Sequence, residues 1–392
     1  MTTAQTQQPE AARLSPAAPR VLGLLVGNIH DRSSGAWVKY SRLFAEIAAR
    51  CELLDVCDVE LRGVDRYQNA IRSLRLSRRR WREAFRKNIW AFERRSRLAR
   101  QAVGRHPEAD VVLQHGAIFH AHGAGAPVVL YCDFTYRLAQ REDHWRNPLA
   151  AGAASERWDE LERQAYHAAA LVLTRSEHTR RSLLEDYAVP AERTAVVGGG
   201  VNFERLPPAA PIAAEPRVLF IGRDFERKGG DLLVAAFARA RERVPEAELW
   251  LVTDETGIGG PGIRRIPPTY DRDVIAALYR SASVFAMPSR CETWGDVLLE
   301  AMAYGLPCLG AAVDAMPEIV QHGQTGLLAP RDDVGALVDA LTTLLTDAEL
   351  RQRMGAAGRQ RVESTFTWGH VADRIVPLLA RAAASGPGDR PV

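Results

Sequence analysis

Residues 288–310 read PSRCETWGDVLLEAMAYGLPCLG, and this stretch decides the fold of the chain. Its apolar spacing predicts a helix that begins near Asp296. Glu300 then lies in the first turns of that helix, while Glu292 stays in the loop before it. Each carboxylate can accept hydrogen bonds from two adjacent hydroxyls, so the pair can hold two diols, such as those of a hexose and a ribose. An isolated pair of glutamates is more often simply exposed, so the wider sequence has to decide.

The backbone between the two carboxylates predicts an anion site. Thr293, Trp294 and Gly295 lead into the expected helix, and Asp296 and Val297 form its first turn. N–H groups at a helix N-terminus have no carbonyl partner within the helix, and the helix dipole adds to their attraction for an anion. We therefore expect a phosphate to bind here.

A basic loop upstream predicts further contacts to phosphate. Residues 222–229 read GRDFERKG and follow an apolar, strand-like run. After Gly222, the side chains of Arg223 and Lys228 leave the carboxyl end of that strand and approach the next helix, where a diphosphate would lie. Taken alone, such a loop is usually only solvated.

These blocks resemble the retaining glycosyltransferases of family four. Residues 288–307 match that family's pattern PS-x-x-E-G-F-G-x-x-x-x-E-A-M-A-x-G-x-P, except that Thr293 and Trp294 replace Gly and Phe. The family also has the element G-R-x-x-x-x-K-G about seventy residues upstream of its glutamates, as this chain does. A third block, PEIVQHGQTGLL at 317–328, resembles the family's segment that closes the donor site. The similarity covers nearly all of residues 171–330.

The resemblance implies a two-domain GT-B architecture and transfer of a sugar from a nucleotide-diphosphate sugar with retention at the anomeric carbon. It implies that Glu292 binds sugar hydroxyls and helps to hold an oxocarbenium-like centre, and that Glu300 binds the ribose. Arg223 and Lys228 would bind the diphosphate. If these cations and the helix N-terminus neutralise the leaving diphosphate, neither a metal nor a cofactor is needed.

The N-terminal half offers fewer candidates. Gly35 lies near the first helix start, where the resemblance implies close approach of backbone to the sugar or phosphate, although a lone Gly is more often only a turn. The family carries a His in a context like P-V-x-x-T-x-H-D, but here Cys132 and Asp133 fall at the His and Asp positions. Asp133, at a strand end, is a candidate for contact with the sugar or acceptor. His115 and His120 are expected to be packed or surface imidazoles and not catalytic groups.

Short apolar runs alternate with helical patterns along the chain, which is typical of βα units and parallel sheets. The fold class is therefore α/β, with two Rossmann-like parallel-sheet domains facing each other across a cleft. Gly323 and Gly326 are expected to form two tight turns. The expected limits are a disordered leader at 1–20, an N-terminal acceptor domain at 21–205, a Pro- and Ala-rich linker at 206–216, a C-terminal donor domain at 217–365, and a C-terminal helix and tail at 366–392 that pack back on the N-terminal domain.

Positive charge is concentrated in residues 62–105. This segment carries 15 Arg and Lys against 3 acidic residues, a net of +12 in a chain whose formal net charge is only +3. An apolar stripe at spacings of three, four and seven predicts an amphipathic helix here: Trp81, Phe85, Ile89, Phe92, Ala99 and Val103. The helix is either solvated or docked on an anionic membrane or a phosphate-bearing acceptor. Nucleic acid is disfavoured because the rest of the chain is acidic and carries no nucleic-acid-binding motif.

Composition and spacing disfavour several other classes. No apolar run reaches the ~18 residues of a membrane span, and residues 1–20 lack the features of a secretory signal, so we expect a cytoplasmic protein. The GIGGPG run at 257–262 has no helix after it to receive a dinucleotide. Asp271 and Asp273 are expected to cap a helix and not to bind a metal. The five cysteines are expected to be buried apolar residues without disulfides or zinc: Cys51, Cys57, Cys132, Cys291 and Cys308.

The sequence therefore favours a retaining glycosyltransferase that uses a nucleotide-diphosphate sugar donor. Its acceptor, such as a glycan, lipid or small molecule, would lie against the N-terminal domain. Alternatives of the same fold are a sugar-nucleotide epimerase, a phosphorylase, or a non-catalytic nucleotide-sugar-binding protein. The change to Thr293 and Trp294 slightly favours the non-catalytic alternative, although the backbone donors survive it.

Overall fold

The computed structural model describes residues 18–32, 34–142, 149 and 152–385. Most of the expected leader, residues 1–17, lies outside this part of the chain. The first half forms a parallel six-stranded sheet in the order β2-β1-β3-β4-β5-β6. Its strands are β1 (Arg20–Leu25), β2 (Glu52–Asp58), β3 (Val111–His115), β4 (Val128–Cys132), β5 (Leu171–Thr174) and β6 (Thr194–Val196).

Helices cover both faces of this sheet. They are α1 (Gly35–Ala48), α2 (Gly63–Arg72), α3 (Arg78–Arg86), α4 (Ile89–Gly104), α5 (Tyr136–Arg141), α6 (Ala153–Ala168) and α7 (Glu177–Glu185), followed by a 3₁₀ turn at Ala191–Arg193. Every residue of β4 and β5 is buried, as expected for central parallel strands that are covered on both faces.

The second half forms another parallel six-stranded sheet, in the order β12-β11-β10-β7-β8-β9. Its strands are β7 (Arg217–Ile221), β8 (Glu248–Val252), β9 (Ile263–Ile266), β10 (Val284–Met287), β11 (Cys308–Ala311) and β12 (Gly326–Ala329). Its helices are α8 (Gly230–Ala240), α9 (Arg272–Ser281), α10 (Asp296–Ala303), α11 (Met316–Ile319), α12 (Val334–Thr346) and α13 (Ala348–Thr365), and α14 (Trp368–Ala384) follows them. The predicted α/β class with two Rossmann-like sheets is confirmed.

The strand order of each sheet predicts where ligands bind. In the first sheet the order reverses between β1 and β3, and in the second between β7 and β10. Crossover helices leave such a switch point on opposite faces, so a crevice opens at the carboxyl ends of the two strands. The loops after β7 and β10 are the ones that carry Lys228 and Glu292.

The basic segment 62–105 differs from the prediction. It forms three helices, α2, α3 and α4, and the expected apolar stripe is divided between α3 and α4. The break occurs because the Asn88 side chain accepts a hydrogen bond from the Ala91 N–H and so caps the start of α4. Phe92 is fully buried, so this part of the stripe is core and not surface.

Two smaller expectations also need correction. Cys57 is only partly buried, whereas the other four cysteines are buried as predicted. Gly323 has φ +77° and forms a turn, but Gly326 is the first residue of β12. A Cβ on Gly326 would lie 2.0 Å from the Cys308 carbonyl oxygen, so close strand packing and not a turn requires this Gly.

Helix α14 leaves the second sheet and packs on the first. Its apolar face joins the core cluster of α1 and the first sheet, with Val371 and Ile375 fully buried there. Asp373 on its outer side pairs with Arg50 at 2.7 Å. At its start, the Trp368 indole N–H donates to the Asn202 side chain at 2.7 Å, beside the chain that leaves the first sheet. The last helix therefore ties the two halves together.

Truncating the buried face of α14 is expected to destabilise the first half. Ile375→Ala should lower the free energy of unfolding by about 2–5 kcal/mol because it leaves a cavity among α1 and the sheet. Arg381→Ala, on the exposed side of the same helix, should change it by less than about 0.5 kcal/mol. Urea unfolding followed by circular dichroism measures both, and equal effects would contradict this packing.

Candidate functional site

A cleft of about 730 Å³ opens at the carboxyl ends of the first sheet's strands. Loops after β1, β3 and β4 form most of its wall, and Thr293 reaches it from the second half of the chain. Gly35 lines it at the start of α1, and a Cβ there would meet no atom within 4 Å. The cleft therefore has room beside the backbone of α1.

Glu292 lies on the second sheet's side of the cleft and is 7% exposed. Lys228 Nζ donates to its Oε2 at 2.8 Å, and Arg227 Nη1 lies 3.6 Å from the same oxygen. Burial alone would raise the pKa of Glu292, but the two cations hold that pKa below its usual range. The carboxylate is thus ionised, with its backbone N–H fixed by Asp314 at 2.7 Å.

The loop that carries Lys228 is held against the loop that carries Glu292. Gly229 has φ +69°, and a Cβ there would lie 2.0 Å from the Pro288 carbonyl oxygen. Only Gly fits this close approach in this backbone conformation. The glycines of the G-R-x-x-x-x-K-G element therefore set the distance between lysine and glutamate. Gly222, at the start of the element, bonds through its N–H to the Val252 carbonyl at 3.0 Å.

Backbone donors cluster at the start of α10. Gly295 precedes the helix with φ +97°, and the Leu298 N–H closes the first turn on its carbonyl at 2.9 Å. Within the described part of the chain, the N–H groups of residues 293–297 have no hydrogen-bond acceptor. Unpaired N–H groups at a helix N-terminus form an anion site.

Glu300 lies one turn into α10, as predicted. The Tyr279 hydroxyl donates to its Oε2 at 3.1 Å, and Arg272 Nη1 lies 3.5 Å from Oε1. Burial raises the pKa of Glu300 above its usual range, against the opposing effect of Arg272. Glu292 and Glu300 therefore occupy different electrostatic surroundings, as two carboxylates with different ligands would.

Arg223 does not join the cluster around Glu292. Its side chain is 58% exposed, bonds to the Tyr270 hydroxyl at 2.8 Å and lies 3.5 Å from Asp254. It stands at the rim of the second sheet. Of the two cations predicted for the diphosphate, the structure places only Lys228 beside Glu292.

Trp294 points away from the cleft. Its indole is 2% exposed and packs edge-on against the Phe366 ring at a centroid distance of 5.8 Å. A Cβ added at Gly199 would lie 2.8 Å from the indole Nε1, so only Gly fits there. The residue that departs from the family pattern therefore packs at the junction of the two halves. The backbone donors around it are unaffected.

The first sheet supplies a buried charge network. Asp133, after β4, has Arg175 Nε at 3.0 Å, His115 Nε2 at 3.4 Å and the Tyr40 hydroxyl at 3.5 Å. Burial opposes ionisation of Asp133, but Arg175 and His115 hold its pKa below its usual range. His115 thus contacts a candidate site residue, and its ring packs on that of Tyr40 at a centroid distance of 3.9 Å, which agrees with the expected packed imidazole. His120 instead stacks on His122 at 5.2 Å.

Arg175 links this network to the second half of the chain. Its side chain is 2% exposed, and its Nη1 lies 3.3 Å from Asp296 at the start of α10. Nearby, the Glu318 carboxylate accepts from the N–H groups of Glu177 and His178 at the start of α7, at 2.7 and 3.0 Å. Charged contacts therefore join the two sheets around the cleft.

Sequence reasoning missed Arg175, Arg227, Tyr40 and the contact between His115 and Asp133. Arg175 directly follows β5, so its place at a carboxyl strand end was a usable signal. Arg227 stood inside the quoted GRDFERKG loop. Tyr40 offered no such signal, because a tyrosine inside a helix is usually only packed. Of the two discounted acids, Asp271 caps α9 as expected by accepting from the Asp273 N–H, and Asp273 lies in the first turn of that helix.

Two facing parallel sheets, with an ionised carboxylate, a lysine and a helix N-terminus between them, define a protein of the GT-B class. Profile comparison agrees: residues 44–205 match "Glycosyltransferase Family 4" and residues 215–347 match "Glycosyl transferases group 1". The chain is 31% identical to α-maltose-1-phosphate synthase of Mycolicibacterium smegmatis over 60% of its own length and 69% of that protein. The chain belongs to family four of the glycosyltransferases, as its motifs predicted.

Other relatives are matched over part of their length. The chain is 32% identical to D-inositol 3-phosphate glycosyltransferase of Kribbella flavida, over 53% of this chain and 55% of that one. It is 36% identical to phosphatidyl-myo-inositol mannosyltransferase of Mycobacterium leprae, over 48% and 54%. The chain thus spans about half the length of these two relatives.

Solved structures show the same fold. WaaG, a glycosyltransferase involved in lipopolysaccharide biosynthesis, superposes with a TM-score of 0.63 at 16% identity, over 92% of this chain and 99% of that one. HepE from Anabaena, solved with UDP and glucose, gives 0.56 at 20% identity over 72% and 81%.

Removing the central cation of the charge network is expected to destabilise the chain. Arg175→Met should lower the free energy of unfolding by about 3–5 kcal/mol, because Asp133 and Asp296 lose their shared counter-charge. Denaturant unfolding measures the loss. Adding Asp133→Asn to this variant should restore part of the stability.

The pH dependence gives the matching control. In Arg175→Met the pKa of Asp133 is expected to rise above its unfolded value, so the variant should become more stable as pH falls from 7 to 5. In the unchanged chain the pKa of Asp133 is lowered, so the stability that its ionised form contributes is lost only in stronger acid. A variant whose stability does not depend on pH would contradict the network.

Proposed function

We propose that this protein is a retaining glycosyltransferase that moves a sugar from a nucleotide-diphosphate sugar to an acceptor held by the first sheet. One observation carries the proposal: the buried Glu292–Lys228 pair lies directly before a helix start whose N–H groups are unpaired. A diphosphate needs cations and N–H donors, and the sugar it carries needs a carboxylate. The site brings all three kinds of group together around Glu292 and the start of α10.

In the proposed reaction the diphosphate leaves against Lys228 and the first turn of α10. Charge that develops on the leaving oxygen is stabilised by donors already in place, which is commonly the largest contribution to catalysis. Arg223 would reach the diphosphate only by giving up Tyr270 and Asp254. We therefore propose that Lys228 contacts the diphosphate beside Glu292, and that Arg223 remains at the edge of the site.

Glu292 would accept hydroxyls of the transferred sugar and stabilise positive charge at the anomeric carbon. Asp133, held ionised by Arg175 and His115, faces the cleft from the first sheet. It would contact the sugar or the acceptor hydroxyl. Departure and attack on the same face give retention, and the closed contact between the sheets limits hydrolysis of the donor.

Glu300 would hold the ribose. Its pKa is raised by burial, so a ribose diol that donates to the carboxylate compensates a charge that the protein alone leaves under-solvated. Tyr279 keeps the carboxylate oriented. This division assigns the sugar to Glu292 and the nucleoside to Glu300.

The acceptor half of the cleft has a small excess of cations over acids, and one of its cations, Arg95, is paired with Glu60 at 2.9 Å. Lys39, Arg86, Lys87 and Arg95 line it, against the acids Glu60, Asp133 and Glu162. We infer that the acceptor carries an anionic group such as a phosphate. Two relatives support this class by name, since one is a D-inositol 3-phosphate glycosyltransferase and the other a phosphatidyl-myo-inositol mannosyltransferase.

We also propose that the protein works in the cytoplasm at the surface of an anionic membrane. In the described part of the chain, no helix is long and apolar enough to cross a bilayer. Contact would therefore be peripheral and would use the basic segment 62–105.

Three other activities would share the donor site. An epimerase would convert the donor without an acceptor, a phosphorylase would need inorganic phosphate, and a binding protein would hold the donor unchanged. Incubating the protein with a nucleotide sugar alone, then with phosphate, then with a phosphorylated polyol separates them. Release of nucleoside diphosphate only in the last mixture supports transfer.

Glu292 and Glu300 should have separable effects. Glu292→Gln is expected to lower transfer at least about 100-fold, because the charge that faces the anomeric carbon is lost. Its affinity for nucleoside diphosphate should be unchanged or tighter, since Lys228 is freed. Glu300→Gln should instead weaken nucleoside diphosphate binding about tenfold. Calorimetry and product assays measure both, and full transfer by Glu292→Gln would overturn the assignment.

Lys87 gives the acceptor site a pH dependence. It lies over the rings of Tyr136 and Trp158, at 4.2 and 4.7 Å, and burial lowers its pKa to about 8, against the opposing effect of Glu162. A lysine with this pKa is charged below pH 8 and neutral above it. Anion affinity at the acceptor site should therefore fall about tenfold between pH 7 and pH 9.

Sulfate is a suitable probe, because its charge does not change over this range. With the donor site filled by nucleoside diphosphate, sulfate binding should follow the expected pH curve. Lys87→Met should bind sulfate weakly at every pH. A pH curve that persists in Lys87→Met would assign the effect to another group and contradict the acceptor site.

A further inference from the structure

Helix α2 exposes an apolar row, and its buried position is the polar Asn69. Val64, Tyr67 and Ile71 recur at spacings of three and four on one face of α2, and Leu74 follows just after the helix ends; all four are exposed. Tyr67 is 73% exposed and Ile71 68%. Leu76, in the turn after the helix, continues the row and is fully exposed. A surface helix of a water-soluble domain normally has the opposite arrangement.

The buried side of α2 is held by hydrogen bonds. Asn69 is fully buried and donates to the Phe85 carbonyl at 2.8 Å, and Ser73 donates to the Ala84 carbonyl at 3.3 Å. Asn88 completes the network by donating to Asn69 at 2.9 Å. Because these polar groups are satisfied against α3 and the start of α4, the helix cannot rotate to bury its apolar row without losing them.

The apolar row is unusual for this chain. Eight large apolar side chains are exposed in the part of the chain that the structure describes, and five of them lie between residues 64 and 76. The other three are scattered at Val196, Tyr270 and Val274. Single exposed apolar residues need no explanation, whereas a contiguous group marks an interaction site.

Arginines surround the row. Their side chains are exposed at seven positions: Arg62, Arg66, Arg72, Arg75, Arg78, Arg80 and Arg82. Between residues 62 and 82 the sole acidic residue is Asp65, which is paired with Arg94 at 2.8 Å. Arg62 is also paired, with Asp58 at 2.6 Å. The surface thus combines exposed apolar side chains with an excess of positive charge.

We propose that this surface, formed by α2 and the turn to α3, docks on an anionic lipid bilayer. Tyr67, Ile71, Leu74 and Leu76 would enter the boundary between headgroups and acyl chains, and the arginines would pair with lipid phosphates. A helix of ten residues is about 15 Å long, which is too short to span a bilayer, and its apolar row runs along one face, so it would lie in the plane of the membrane. This deepens the membrane contact proposed above and does not depend on sugar transfer.

A second copy of the chain fits the surface less well. A two-fold dimer would bring the same arginines of both copies against each other, and like charges at an interface are strongly unfavourable. An anionic bilayer complements both features of the surface at once. In the docked orientation, α3 would connect the membrane surface with the cleft. It ends at Arg86, Lys87 follows it, and both residues line the acceptor half of the cleft.

Vesicle sedimentation tests the proposal with the full chain and no donor. The unchanged protein should bind vesicles of phosphatidylglycerol and phosphatidylcholine far more tightly than vesicles of phosphatidylcholine alone. The triple variant Tyr67→Ser, Ile71→Ser and Leu76→Ser should bind anionic vesicles at least about tenfold more weakly, since three apolar side chains no longer enter the lipid. Arg75→Glu with Arg80→Glu should cause a loss that salt reproduces in the unchanged protein.

Matched controls sit elsewhere on the surface. Val274→Ser removes an exposed apolar side chain of α9, and Arg353→Glu reverses an exposed charge of α13, so neither should alter vesicle binding. Thermal unfolding should be similar for all variants, because every substituted side chain is exposed. Transfer to a water-soluble phosphorylated acceptor should survive in the triple variant, which separates this proposal from the proposed activity.

Three results would overturn the proposal. One is equal binding of the triple variant and the unchanged protein to anionic vesicles. Another is equal binding of the unchanged protein to anionic and neutral vesicles. The third is a stable dimer in sedimentation equilibrium without lipid that the triple variant dissociates, which would assign the surface to a second copy of the chain.

Discussion

The arrangement of the cleft depends on how one buried charge is satisfied. Arg175 is almost completely removed from water, and moving an isolated guanidinium into the protein would cost several kcal/mol. It is tolerable because Asp133 of the first sheet and Asp296 of the second both lie within 3.3 Å. Neither half of the chain supplies both partners. The relative position of the two sheets is therefore coupled to the ionisation of residues that line the cleft.

The donor side of the site also contains a buried charge that needs a partner. In the structure, Lys228 neutralises Glu292, yet the proposed reaction asks Lys228 to bind a diphosphate and Glu292 to bind a sugar. Both demands are met if the diphosphate draws Lys228 away, because the carboxylate then loses its partner and the sugar hydroxyls replace it. In this proposal the pair would keep the buried Glu292 carboxylate satisfied until the diphosphate and the sugar of the donor bind. Gly229 keeps the two loops close enough for this exchange.

Local features of the site were predictable, and features of tertiary structure were not. The helix start at Asp296, with Glu292 before it and Glu300 within it, followed from apolar spacing and the family motif. The position of Arg175 directly after β5 could be read from the sequence, but its pairing with Asp296 depends on how β5 and α10 meet, which no local pattern encodes. The rim position of Arg223 likewise depends on Tyr270, 47 residues away.

The basic segment 62–105 shows that a correctly recognised helical period can still predict the wrong number of helices. Its apolar stripe was real, but Asn88 caps a new helix in the middle of it, and the capping pattern of an Asn before an apolar run was visible in the sequence. The exposed apolar row lies on α2 and the turn after it, where it is short and interrupted by arginines. Burial of Asn69 turns that row outward. The same hydrogen-bond network ends at Asn88 beside Lys87, so the buried polar groups of α2 help to position both the proposed lipid surface and Lys87.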